Sequence, residues 1–299
     1  MRRSVAVLVA FFAAAGLAVA QPPAPESVTV TALKNVPPEV IQNFIQTFAA
    51  PTAIAGKLAR WQSGICPVAV GLRPSAIEFL LQRLRDNAAR VGAPVEQNPG
   101  CKANIEIVFT TTPQALLDNV RKKNPAFLGY SRGIAETDRK AIVTHPIQAW
   151  YTTARRDFLG RKALDSALTV GLNDDQELAL SFAMGSSWGF RTRDGYSSEL
   201  YHIIIAVDPN QIRDREMGAV ADYISMLALS QIASLDRCQR QLPSIINMMV
   251  PGCAAVETQL TPSDVAFLQG IYRMPRDYSL SVQKARIVNE MRRAFEVQD

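Results

Sequence analysis

Between residues 215 and 233 the chain carries Val220, Tyr223, Ile224, Met226, Leu227, Leu229 and Ile232, which cover nearly every face of a helix. That pattern predicts a helix buried all round rather than one lying on a surface. Other helical patterns are one-sided. Val40, Phe44, Ile45 and Phe48 recur at helical spacing after Pro37-Pro38-Glu39. Residues 281–297 place Ala285, Val288, Met291 and Phe295 on one stripe, with Lys284, Arg286, Arg292 and Arg293 on the other face. A helix is also expected over 75–91 and another from Pro113 to about residue 123. Thr261-Pro262-Ser263-Asp264 reads as a helix start in which Thr261 caps, Pro262 suits the first position and Asp264 complements the dipole. Short apolar runs mark strands: P-V-A-V-G-L from residue 67, N-I-E-I-V-F from residue 104, and an alternating stretch over 148–155. Y-H-I-I-I-A-V over 201–207, stopped by Asp208-Pro209, predicts a central strand. Residues 165–189 are only loosely patterned. The fold class is therefore α+β: a mixed sheet opened by a β-α-β unit, with a buried central helix behind it.

The N-terminus changes the compartment. Arg2 and Arg3 precede an apolar core over residues 5–17, and Ala18-Val19-Ala20 fits the small-x-small cleavage rule. Residues 1–20 are read as a secretory signal of the Sec type, with cleavage after Ala20 and a periplasmic or secreted product. Arg2-Arg3 lacks the rest of a twin-arginine motif. No lipobox cysteine follows and no later run approaches a transmembrane segment. Residues 21–55 form an extension and helix, and 56–299 a single α+β domain ending in an amphipathic helix. Loss of Arg2 and Arg3 takes the formal charge from +5 to +3. The basic pairs are scattered, so nucleic acid is not the expected partner.

Four cysteines in an exported chain suggest two disulfides, for which three pairings are possible. Cys66 and Cys101 each stand just before a predicted strand. A β-α-β crossover makes those strands parallel and puts both cysteines at the same end. Cys238 and Cys253 then close a short loop after the buried helix. No C-x-x-C and no nearby histidine accompanies them, so structural staples are expected rather than metal ligands.

A-D-Y-I-S-M-L-A-L over 221–229 is followed by P-S-I-I-N and by L-T-P-S-D-V-A-F-L-Q-G-I-Y. That order resembles the C-terminal half of zincin-type metalloproteases, where H-E-x-x-H-x-x-G lies on a buried helix. In this overlay Ala221 and Ser225 occupy the positions of the zinc-binding histidines, Asp222 that of the general-base glutamate, and Ala228 that of the glycine. Alanine and serine cannot replace two imidazoles, and the general base has no metal-bound water to activate. The resemblance thus implies a zincin-like scaffold without its metal or any cofactor. It implies a non-catalytic binding or structural role in the bacterial cell envelope, with an envelope protein or a glycan as partner. The alternative is a peptidase-like hydrolase with an atypical site in the same cleft. A carboxylate inside an apolar helix needs a partner, which an arginine or the Tyr201 hydroxyl could supply.

Three other constellations compete. His145 and His202 are the only histidines; with a carboxylate they make a conceivable mixed metal site. Gly185-Ser186-Ser187-Trp188-Gly189 is a literal G-x-S-x-G, but R-T-R-D-G follows where a nucleophile elbow needs a helix. Trp61, Trp150-Tyr151 and Trp188-Phe190 would form a glycan platform if they converged, although core packing is the expected role of Trp61 and Trp150.

Overall fold

The computed structural model describes residues 36–157, 159–165 and 195–296, all within one compact unit, Leu33–Asp299. In chain order the elements are α1 (Pro38–Phe48), β1 (Pro67–Val70), α2 (Pro74–Val91), β2 (Ile105–Phe109) and α3 (Pro113–Lys123). A 3-10 turn (Pro125–Leu128), α4 (Ile134–Lys140), β3 (Ile147–Arg156) and β4 (Lys162–Leu164) follow. The second half holds β5 (Ser197–Val207), α5 (Met217–Leu229), a second 3-10 turn (Ile245–Met249), α6 (Pro262–Arg273) and α7 (Leu280–Glu296).

The strands form one mixed sheet in the order β1-β2-β5-β3-β4. β1, β2 and β5 are parallel, while β3 runs antiparallel to both β5 and β4. β5 is central, as its unbroken apolar run predicts. Its alternation divides the molecule. Ile203, Ile205 and Val207 point into the large core formed with α1, α2, α5, α6 and α7. Ala206, beside Trp150 of β3, faces a smaller cluster with Leu117, Leu128 and Ala141, which belong to the α3–α4 side.

The β-α-β unit forms as its pattern predicts, and Cys66–Cys101 bridges its two strands with Cα atoms 6.1 Å apart. Cys238–Cys253 closes the second loop, with Cα atoms 5.5 Å apart. Helix α1 is part of the large core, since Phe44 meets Phe267 of α6 edge-on. Among the described residues no helix is long and apolar enough to cross a membrane.

Three elements differ from their patterns. The buried helix is shorter than the apolar run: it ends at Leu229, and the chain leaves in an extended conformation at Ser230. The stripe of α7 is rotated: Gln283, Ile287, Met291 and Phe295 are buried, while Ala285 is exposed and Val288 half-buried. The cause is local. Gln283 reaches inward because its Oε1 accepts the Leu58 backbone N–H at 2.9 Å, a bond no hydrophobicity pattern can show. His202 lies inside β5 rather than at its start.

Candidate functional site

Asp222 is buried, 1% exposed, and every lone-pair direction of its carboxylate is engaged. Arg83 of α2 approaches as a fork, Nε to Oδ1 and Nη2 to Oδ2, each at 2.8 Å. Asn87, one turn on, donates Nδ2 to Oδ1 at 2.8 Å, and the Leu260 backbone N–H donates to Oδ2 at 2.9 Å. Of the two partners the sequence allowed, the arginine is the one found. The bond to Asp222 holds the Arg83 guanidinium above its already high range. Tyr201 is the one exposed residue of β5, at the bulge in its pairing with β3.

The other overlay positions share this environment. Ser225 Oγ accepts from Asn87 at 3.0 Å and donates to the Ala221 carbonyl at 2.7 Å. Ala221 and Ser225 are fully buried. The motif face of α5 therefore meets α2 and the chain before α6 rather than an opening to solvent.

The far end of α5 is satisfied by side chains. A helix leaves its last four carbonyls without intrahelical partners, and here the end is buried. Ser230 Oγ donates to the Met226 carbonyl, Tyr151 to that of Leu227, Trp61 Nε1 to that of Ala228 and Tyr272 to that of Leu229, at 2.7–3.1 Å. Burial pushes the Tyr151 and Tyr272 phenols up. Trp61 and Trp150 are both core residues, so neither contributes to an exposed aromatic platform. The Tyr223 hydroxyl on the same helix is buried and has no hydrogen-bond partner among the described residues.

P-S-I-I-N and L-T-P-S-D interlock behind α5. Asp264 closes a capping box with Thr261, and its carboxylate also accepts from Ser244 Oγ at 2.6 Å and the Ile245 N–H at 2.8 Å. Burial pushes the Asp264 carboxyl up to about 6 against these bonds. Asn247 holds the loop by accepting from the Gln239 N–H and donating to the Gln239 carbonyl. Gly270, in the G-I-Y of the same segment, lets α7 approach: a Cβ there would sit 3.0 Å from Ile287 Cα.

The histidines are far apart. His202 pairs with Thr152 across the sheet, whereas His145 precedes β3 by two residues. Thr152 lies five strand positions beyond Ile147, on the order of 17 Å, and the two histidines have different partners, so the mixed site does not assemble. His145 Nε2 lies 2.9 Å from Asp236 Oδ1, and its Nδ1 2.8 Å from Thr144 Oγ1. His202 Nε2 lies 3.1 Å from Glu106 Oε1, and its ring stacks on Phe127. Among the described residues no group of three His, Cys, Asp or Glu side chains is placed to hold a metal ion. The G-x-S-x-G sequence and Trp188 lie outside the described residues.

One feature of the opposite face carries no motif. α3, the first 3-10 turn and α4 enclose a groove of about 680 Å³. Gly129 closes its inner end in a left-handed conformation, φ 84°, where a Cβ would lie 2.4 Å from the Tyr151 carbonyl oxygen. The paired glycines of G-Y-S-R-G, 129–133, are the sequence signal for this tight return, and Asn87 inside the apolar stripe of α2 is the signal for the Asp222 network. No family model matches the chain, and searches among curated proteins and among solved structures return no match.

Proposed function

We propose that this is an exported, non-catalytic domain with a zincin-like arrangement, acting by binding in the bacterial cell envelope. The observation that carries the reading is the saturation of Asp222. A general base needs a free lone pair facing a water or a substrate proton. This carboxylate spends its acceptor positions on Arg83, Asn87 and Leu260 and is shut from solvent. The sequence of β5, α5, the Ser244 loop and the Thr261-capped helix supports the zincin-like element, since these follow in the order of the resemblance. Two disulfides support an oxidising compartment, and the signal-like residues 1–20 support export.

The test is metal content by mass spectrometry on oxidised protein purified without chelator or histidine tag, beside a peptide-hydrolysis assay of wild type and Asp222→Asn. The reading predicts no stoichiometric zinc and no hydrolysis that depends on Asp222. Stoichiometric zinc lost in His145→Ala or His202→Ala, or hydrolysis abolished by Asp222→Asn in folded protein, would overturn it and restore the hydrolase.

A further inference from the structure

The groove between α3 and α4 sets one unpaired lysine, Lys122, beside exposed apolar surface. We propose that it binds an acidic peptide segment of a partner protein, one that carries an apolar side chain beside its carboxylates. The inference rests on the reading of the domain as a binding protein and gives that reading a place and a ligand class.

Charge is the first support. Residues 113–140 hold six basic and three acidic side chains. Their surplus of +3 equals that of the whole chain without residues 1–20, so the remainder is balanced. The three carboxylates are already engaged. Asp138 pairs with Arg121 at 2.7 Å and Asp118 with the same guanidinium at 3.8 Å. Glu136 takes Lys140 at 3.3 Å and the Arg132 backbone N–H at 2.8 Å, a bond that holds its carboxyl below the usual range. The groove itself is lined by Asp118, Asp138, Arg121 and Lys122; Arg121 takes both carboxylates, which leaves Lys122 as the lining cation with no ion pair among the described residues. Lys123 and Arg139, outside the lining, form none among them either. Carboxylates are the complement of such a rim.

Apolar surface is the second support. Pro125, Ala126, Gly129 and Ile134 share the lining, and Ile134 is 82% exposed. A lone exposed isoleucine is ordinary, but one standing in a groove of ligand-binding size is an anchor point for an apolar side chain. No aromatic ring lines the groove among the described residues, and Trp61 and Trp150 are buried, which favours a peptide over a glycan.

The walls are also fixed before any ligand arrives. Arg121–Asp138 ties α3 to α4, Lys140 bonds the Tyr130 carbonyl, and Gly129 locks the return onto β3. Preformed walls reduce the ordering cost of binding.

The test pans a phage-displayed random heptapeptide library against the whole exported protein, then measures enriched peptides by fluorescence polarisation. Wild type, Ile134→Asp and Lys122→Glu are compared. Both substituted side chains are exposed, so melting should be unchanged and folding is not at issue. The expected result is enrichment of Asp or Glu beside Leu, Ile or Phe, binding that weakens with salt, and a loss of about tenfold or more in each variant. Enriched peptides that bind both variants as well as wild type would remove the groove and leave the binding role standing. Basic or uncharged consensus sequences, or no enrichment over bare matrix, would overturn the ligand class. Binding to phosphatidylglycerol vesicles that needs Ile134 and Lys122, with no peptide binding, would overturn it in favour of a lipid surface. Metal and hydrolysis measurements decide the non-catalytic reading separately.

Discussion

The two faces of the sheet treat their polar groups in opposite ways. Behind β5 the buried charged side chains are satisfied internally: Asp222 by Arg83 and Asn87, Asp264 by Ser244 and Thr261, and Arg60 by the Ile271 and Met274 carbonyls that end α6. Burial pulls the Arg60 guanidinium down to about 10, although it stays charged at neutral pH. On the other face the carboxylates of 113–140 are matched and cations are left over. A closed network holds a fold together, because each group removed strands a buried partner. An open one offers complementarity to something else. By that criterion α5 is, on the proposed reading, a scaffold, and the unmarked groove has the role of meeting a partner.

The comparison breaks most visibly at Asp222. Asp222→Ala leaves Arg83, Asn87 and the Leu260 N–H facing a void and should cost about 3–5 kcal/mol in urea unfolding. Arg83→Met should cost nearly as much, about 3 kcal/mol, because it leaves the Asp222 carboxylate, 1% exposed, without its countercharge and two of its donors. A cost for Arg83→Met below about 1 kcal/mol would contradict the closed network, since it would mean that Asp222 does not need its countercharge.

Asp264 sharpens the same face through pH. Its folded carboxyl titrates near 6 and an unfolded aspartate near 3.8, so between these values the native state holds the extra proton. Raising the pH through that window therefore removes stability, on the order of 2–3 kcal/mol, which is fully present only below about pH 4. Carbon NMR of the Asp264 carboxyl checks the titration; a midpoint at or below 4 would contradict it.

Trp61→Phe keeps an aromatic ring but removes the donor to the Ala228 carbonyl and part of the buried volume, which should lower stability by about 1–3 kcal/mol. Thermal unfolding measures it, and an unchanged midpoint would mean the carbonyl finds another donor. The smallest effect belongs to the groove. Ile134→Asp should change stability by less than about 0.5 kcal/mol, because the side chain is exposed and its role is contact with a ligand.

Legibility followed the range of the interactions. β5, the β-α-β unit and the Thr261 cap are set by neighbours a few residues apart, so periodicity and cap chemistry predicted them. The Cys66–Cys101 bridge followed because a crossover fixes where both strand starts lie. The rotated stripe of α7 was hidden because Gln283 bonds Leu58, 225 residues away. Asp222 was visible as a buried carboxylate, but its partners on α2 lie 135–139 residues away. The wide separation of His145 and His202 follows from strand register, which neither residue encodes alone. The groove was least legible of all, because it arises from how α3 and α4 return to β3.

The central claim is that Asp222 holds the fold together and performs no chemistry. Equilibrium unfolding of Asp222→Asn tests it most directly, since the substitution keeps the shape but turns two accepted bonds into facing donors. The account predicts a loss of more than about 2 kcal/mol, with peptide binding by the remaining folded protein unchanged. Wild-type stability together with a lost activity would contradict it and return Asp222 to the role of a catalytic base.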